Sequence, residues 1–134
     1  MINDVREIYI KRINDDRGSL SIISEINLPY KIKRVFTISS KNTRRGNHAH
    51  KKCNQFLVCV QGSLKLTLDD SKVKKELSLD SNSGGILIPA GIWSYQDYLD
   101  ETTTINVFCD HEYDESDYIR DYEEFLDYCS DRKT

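Results

Sequence analysis

Two of the chain's three histidines, His48 and His50, stand two positions apart in the run Arg44-Arg45-Gly46-Asn47-His48-Ala49-His50-Lys51-Lys52. An imidazole with its ordinary pKa near 6.5 both takes and gives protons at neutral pH, so a pair aimed at one small molecule can move a proton between neighbouring atoms. The spacing allows this, because residues i and i+2 of a strand share one face and lie about 6.6 to 6.8 Å apart along the backbone. Spacing alone fits equally well two idle strand histidines with no task. Arg44, Arg45, Lys51 and Lys52 shift the balance by gathering positive charge around the pair in a chain whose net charge is -3. Such a cluster suits a phosphate-bearing ligand, with a solvated basic face as its bland alternative. The third histidine, His111, lies far from this run and is expected to be a surface residue without a role.

Residues of this kind need a rigid carrier, and the rest of the chain supplies short strands. Runs rich in Val, Ile, Thr, Leu or aromatic residues recur at 5–10, 20–23, 34–38, 54–60, 63–68, 72–79, 85–88 and 102–109. Turn signals fall between them at Asn14-Asp15-Asp16-Arg17-Gly18, Gln61-Gly62, Asp69-Asp70-Ser71, Ser81-Asn82-Ser83-Gly84 and Pro89-Ala90-Gly91. That close spacing predicts an antiparallel sandwich or barrel, and the lack of intervening helical periods disfavours a parallel βαβ sheet. The tail differs: Tyr118, Ile119, Tyr122, Phe125, Leu126 and Cys129 fall at helical spacings, predicting one amphipathic helix over about 115–130, capped by Asp114 or Ser116.

Composition bounds the function. With 134 residues, 38% hydrophobic and 10% aromatic, the chain fits one folded domain over 1–134 and lacks the signature of disorder. The balance of 19 basic against 22 acidic residues gives no general positive field for a nucleic acid or an anionic membrane. No stretch approaches the ~20 apolar residues of a membrane span, and no leader pattern is visible, so a cytoplasmic protein is expected. Cys53, Cys59, Cys109 and Cys129 form no C-x-x-C pair and read as reduced, mostly buried thiols.

The spacing His48-x-His50-x4-Gln55-x6-Gly62, followed by Pro89-Ala90-Gly91-Ile92-Trp93-Ser94, resembles the cupin pattern with substitutions. In a metal-binding cupin a glutamate stands where Gln55 is and a histidine where Ser94 is. An amide and a hydroxyl are poor ligands for a divalent transition metal, so no metal is expected and both histidines are free for acid–base work.

Over nearly its full length the chain resembles the dTDP-sugar 3,4-ketoisomerases. The resemblance is carried above all by Arg45-Gly46-Asn47-His48-Ala49-His50-Lys51-Lys52 and Tyr113-Asp114-Glu115-Ser116-Asp117-Tyr118-Ile119-Arg120-Asp121-Tyr122, with Asp16-Arg17-Gly18, Lys33-Arg34-Val35-Phe36 and Gly91-Ile92-Trp93 in support. It implies an all-β cupin (RmlC-like) antiparallel barrel or jelly roll, working without metal or cofactor as a homodimer that shares its N-terminal strand. The implied substrate is dTDP-4-keto-6-deoxyglucose, converted through a 3,4-enediol to a 3-keto sugar. That reaction serves deoxyamino-sugar synthesis for surface polysaccharide such as the O-antigen of lipopolysaccharide, with a PLP-dependent sugar aminotransferase as the next enzyme. His48 and His50 fall on the family's catalytic histidines, and Arg17 and Arg45 on positions expected to face the diphosphate. Lys51, Gln55, Trp93 and Tyr95 complete the expected substrate-binding set. Thr37 and Ser94 depart from the family's usual aromatic and histidine. A nucleotide-sugar 3,5-epimerase, a metal-dependent dioxygenase and a non-catalytic sugar-binding cupin are the competing readings.

Overall fold

In the computed structural model, which describes residues 1–132, the histidine run lies on one strand in the middle of an antiparallel framework. The strands are β1 (Arg6–Ile8), β2 (Lys11–Asp15), β3 (Gly18–Ile22), β4 (Arg34–Ser40), β5 (Thr43–His50) and β6 (Gln55–Gln61). They continue as β7 (Ser63–Asp69), β8 (Lys74–Asp80), β9 (Gly85–Ile88), β10 (Trp93–Tyr98), β11 (Thr103–Cys109) and β12 (Tyr118–Ile119), followed by the helix α1 (Tyr122–Asp131). Two five-stranded sheets result, ordered β1-β9-β6-β11-β4 and β12-β5-β10-β7-β8, while β2 and β3 pair only with each other. The antiparallel all-β expectation is met.

The sheets face each other across a core of Leu57, Leu64, Leu66, Leu68, Ile86, Ile105 and Val107, all buried. On β7 the period-two alternation turns Leu64, Leu66 and Leu68 to that core. Strand β6 is apolar on both faces because both are covered: Phe56 and Val58 point outward against Ile10, Leu28 and Tyr30 of the N-terminal segment. Arg12 anchors the β2–β3 hairpin through Nη2, which donates to the carbonyls of Ser83 at 2.7 Å and Cys59 at 3.1 Å. The outer face of the other sheet is covered by α1, whose fully buried Phe125 packs with Trp93, Ala49 and Ile119.

The tail departs from its expected form. Residues 115–121 are not the start of the helix: Glu115–Asp117 make a single 3-10 turn, Tyr118 and Ile119 pair with His50 and Ala49 of β5, and α1 begins only at Tyr122. Asp114 does cap, but it caps the short turn, accepting from the Ser116 N–H at 3.0 Å. The helical spacing is nonetheless meaningful from Ile119 onward, since Ile119, Tyr122, Phe125, Leu126 and Cys129 all pack in the cluster under α1. Strands β5 and β10 are too polar to stand out as apolar runs, and β2 is the charged arm of a hairpin outside both sheets.

Candidate active site

The two sheets part at one end around a cavity of about 380 Å³. One wall is apolar, built by Phe36 and Ile38 of β4, Leu57 of β6, and Ile105 and Val107 of β11. The opposite wall is polar and cationic, with Arg44, Arg45 and His48 from β5, Gln96 from β10, and Arg120 just beyond β12; Gln55 closes it from β6. A small amphipathic ligand carrying negative charge matches this division, because guanidinium forks suit phosphate oxygens and the apolar wall suits a ring face.

A bulge in β5 makes the polar wall possible. Ser94 pairs with His48 and Tyr95 with Gly46, so Asn47 has no partner on β10 and adopts φ +60°. The extra residue resets the alternation: Arg45, opposite Gln96, and His48, opposite Ser94, turn to the same face although three positions apart. Gly46 is required there, with φ +101° and the Tyr95 Cα and Ser94 carbonyl oxygen 2.9 and 3.0 Å from where a Cβ would stand. Gly46→Ala is expected to cost about 1–3 kcal/mol of stability, read by denaturant unfolding. It should also weaken binding of a nucleoside diphosphate by roughly tenfold, read by calorimetry, through the loss of about 1.4 kcal/mol as Arg45 leaves its alignment.

His50 lies one pair of residues deeper and is buried. Its ring centroid is 5.2 Å from that of His48, edge to face, and its Nδ1 is 2.9 Å from Asp117 Oδ2. Asp117 is also buried and accepts from the backbone N–H of Lys52 at 2.7 Å and of Cys53 at 3.3 Å. Asp117 Oδ2 faces Nδ1 as an acceptor, so the proton of the neutral His50 ring sits on Nδ1, which donates to Asp117. His50 Nε2 is thereby left as a lone pair; it is buried and has no hydrogen-bond partner among the described residues.

Burial depresses the basicity of both rings. His48 is brought down from 6.5 to about 4 by desolvation and next by the neighbouring His50. His50 is also lowered, by desolvation, with Asp117 pulling the other way. Both are therefore neutral bases at physiological pH. Because the folded rings resist protonation, the unfolded chain binds more protons as pH falls below 6.5, and stability is lost from there down to about 4. Activity is expected to be level from about pH 6 to 8, with an acid limb in kcat/KM well below that of a free imidazole. Initial rates across pH, with melting temperatures at each point, check this.

The other expected site residues divide. Gln55 and Arg45 line the cavity with His48. Trp93 and Tyr95 do not, because on β10 Ser94 and Gln96 take the inner face and the alternation sends Trp93 and Tyr95 outward. Trp93 packs on Phe125 and Tyr122, and Tyr95 lies under the Arg44 guanidinium at 4.2 Å. Lys51 projects to an outer groove beside Glu124 and Asp127 of α1. Arg17 sits in the turn of the β2–β3 hairpin, paired with Asp15 at 2.8 Å and outside the cavity. His111 is exposed, outside the cavity, and bonded to Asp110 at 2.7 Å.

Four residues at the site were not read from the sequence as functional: Asp117, Tyr118, Arg120 and Gln96. The first three follow one another around β12, where Arg120 is held by a two-point contact to Glu115 at 2.7 and 2.9 Å. Their alternation over two strand residues is too short a signal beside the helical period that follows. At the cupin metal-ligand positions, His48, His50, Gln55 and Ser94 offer only two imidazoles, an amide and a hydroxyl, all neutral, and this set does not fit a divalent transition metal.

A jelly roll of two antiparallel sheets, with paired imidazoles and guanidiniums at its open end, defines a cupin equipped for proton transfer on an anionic ligand. Comparison with known proteins gives the family: residues 3–130 match the family described as FdtA, WxcM-like, C-terminal, and the chain belongs to it. It is 40% identical, over 90% of this chain and 89% of the relative, to the TDP-4-oxo-6-deoxy-alpha-D-glucose-3,4-oxoisomerase of Aneurinibacillus thermoaerophilus. The 3,4-ketoisomerase QdtA from Thermoanaerobacterium thermosaccharolyticum superposes with a TM-score of 0.89 at 35% identity, covering 98% of each chain; that structure is of a mutant in complex with TDP-4-keto-6-deoxyglucose. The WlaRB TDP-quinovose 3,4-ketoisomerase from Campylobacter jejuni is 31% identical with a TM-score of 0.82, covering 92% of this chain and 98% of its own.

Proposed function

We propose that this protein is an isomerase that converts TDP-4-keto-6-deoxyglucose to a TDP-3-keto-6-deoxyhexose. The observation that carries the reading is the pair of neutral imidazoles, His48 partly buried at the cavity and His50 buried and fixed by Asp117, beside a cavity rimmed with guanidinium groups. In the substrate the C4 carbonyl acidifies the proton on C3. One histidine takes that proton, the electron pair forms the 3,4-enediolate, and a proton returned to C4 leaves the ketone at C3. Arg45 and Arg120 would grip the diphosphate, and Gln55 and Gln96 would read sugar hydroxyls, roles that their place on the cavity wall supports. Incubation with TDP-4-keto-6-deoxyglucose, followed by carbon NMR, tests this: the carbonyl should move from C4 to C3, and an unchanged spectrum would defeat the reading.

The homodimer belongs to the same proposal. Strands β2 and β3 join neither main sheet, and their hairpin exposes Ile13, Leu20 and Ile22. Strand β4, at the open edge of its sheet, exposes Val35. Exchange of the hairpin between two copies would cover these residues and would carry Arg17 to the cavity of the other copy. Light scattering is expected to give a dimer, and Leu20→Asp a monomer with weakened nucleotide binding.

A 3-keto product suits a PLP-dependent aminotransferase acting at C3, which would place the enzyme in deoxyamino-sugar synthesis for surface polysaccharide. The unbridged thiols of Cys53, Cys59 and Cys109 support a reducing compartment such as the cytoplasm. Among the described residues no helix is long and apolar enough to cross a membrane.

A further inference from the structure

Beside the histidine pair stands a phenol that the proton transfers between carbons do not use. Tyr118 lies directly across from His50 in the β5–β12 pairing, so its side chain shares the inner face with both imidazoles. Its ring centroid is 4.3 Å from His50 and 5.2 Å from His48. The Arg120 guanidinium, which lines the cavity, covers the ring at 4.2 Å. From the other side the positive charge of Arg34 favours the phenolate form. Arg34 is itself held at the base of the barrel, its Nη2 3.6 Å from Cys109 Sγ and 3.9 Å from Cys53 Sγ.

An arginine offers only donors, so neither guanidinium competes for the Tyr118 O–H proton, which remains available for another partner. A second phenol inside the barrel, Tyr98, has no such freedom: its hydroxyl donates to Gln96 Oε1 at 3.2 Å. Phe36, the aromatic residue on the cavity wall, carries no hydroxyl. Burial pushes the Tyr118 phenol up, and Arg34 and Arg120 pull it back. Two guanidiniums would also steady a transient phenolate.

Moving a ketone from C4 to C3 shifts two protons: one from C3 to C4, and one from the O3 hydroxyl to O4. The histidines serve the first. We propose that Tyr118 is a third catalytic residue, which gives its proton to O4 and recovers one from O3. This assignment rests on the ketoisomerase reading. As a histidine takes the C3 proton, the C–H pair becomes the C3–C4 double bond and the carbonyl π pair moves to O4, which takes the Tyr118 proton. The phenolate, steadied by the charges of Arg34 and Arg120, then takes the O3 proton. The freed pair on O3 forms the C3 carbonyl, and the C3–C4 π pair takes a proton at C4 from the histidinium, directly or through the neighbouring imidazole. Every proton and electron pair is accounted for within the substrate and these side chains.

Tyr118→Phe removes one oxygen from a half-exposed ring and keeps its packing. In D2O, with NMR reading both ketone migration and deuterium entering C3 of unconverted substrate, wild type and variant are compared alongside calorimetric TDP binding. Isomerisation is expected to fall about 100-fold, with TDP affinity within about twofold of wild type. Exchange at C3 should fall less than isomerisation, because an enediolate without its oxygen relay returns to C3 instead of going forward. Turnover within about threefold of wild type would overturn the assignment. So would exchange and isomerisation falling in equal proportion, or TDP binding lost together with turnover, since both describe a structural residue. A wild-type protein that leaves the ketone at C4 would instead overturn the ketoisomerase reading itself.

Discussion

His48→Asn and His50→Asn are each expected to lower kcat for ketone migration by about 10³-fold, within the usual worth of a positioned acid–base group. Asparagine roughly fills the volume and keeps a hydrogen-bonding head, but it cannot hold a proton taken from carbon. The loss should appear in kcat with TDP affinity near wild type, because the guanidiniums proposed to grip the diphosphate, Arg45 and Arg120, come from other positions on the wall. His48 borders the cavity, and His50 stands behind it at a ring separation of 5.2 Å. A double variant should lose little beyond the worse single, as residues acting in one relay are not additive. Full turnover in the double variant would remove both histidines from the mechanism.

The second large effect is expected at a residue that touches no substrate. Asp117→Asn should lower kcat by about 10² or more through a change of tautomer at His50, the kind of loss seen when the carboxylate behind a catalytic imidazole becomes an amide. Asp117 now accepts from the His50 ring and from the backbone N–H groups of Lys52 and Cys53. An amide has one acceptor oxygen and two N–H donors. With its oxygen kept by the backbone, it presents N–H to His50 Nδ1, which must then accept. The ring proton moves to Nε2, and the lone pair available to take a proton is gone. A positioning role predicts unchanged KM, a shifted pH profile and partial recovery in Asp117→Glu if the longer carboxylate can be seated. Loss of folding in the asparagine variant, read by melting temperature, would mark the carboxylate as structural instead.

These two effects come from parts of the chain that differ in how readily they could be read. His48, His50, Arg45 and Gln55 occupy a stretch of strand and turn short enough for residue spacing to carry the chemistry. Even there the alternation rule alone would have set Arg45 and His48 on opposite faces; the bulge at Asn47 reverses that, and its sequence trace is the pair Gly46-Asn47. Asp117, Tyr118 and Arg120 meet the histidines from 67 residues away in the case of His50 and Asp117. They do so from a two-residue strand at the head of a segment whose helical period is strong. The period was correct for what α1 covers and misleading for what precedes it. Trp93 and Tyr95 show the reverse error: their types suit a sugar pocket, but strand alternation turns them to the helix and leaves Ser94 and Gln96 inside. Arg17 belongs to a hairpin that a single chain leaves apart from both sheets.

The most direct test of the central claim is the reaction of the purified protein with TDP-4-keto-6-deoxyglucose in D2O, followed by proton and carbon NMR. A ketone at C3, deuterium at C4, and the original proton retained at C5 are expected. A ketone still at C4 with deuterium at C5 would contradict it and identify an epimerase in its place.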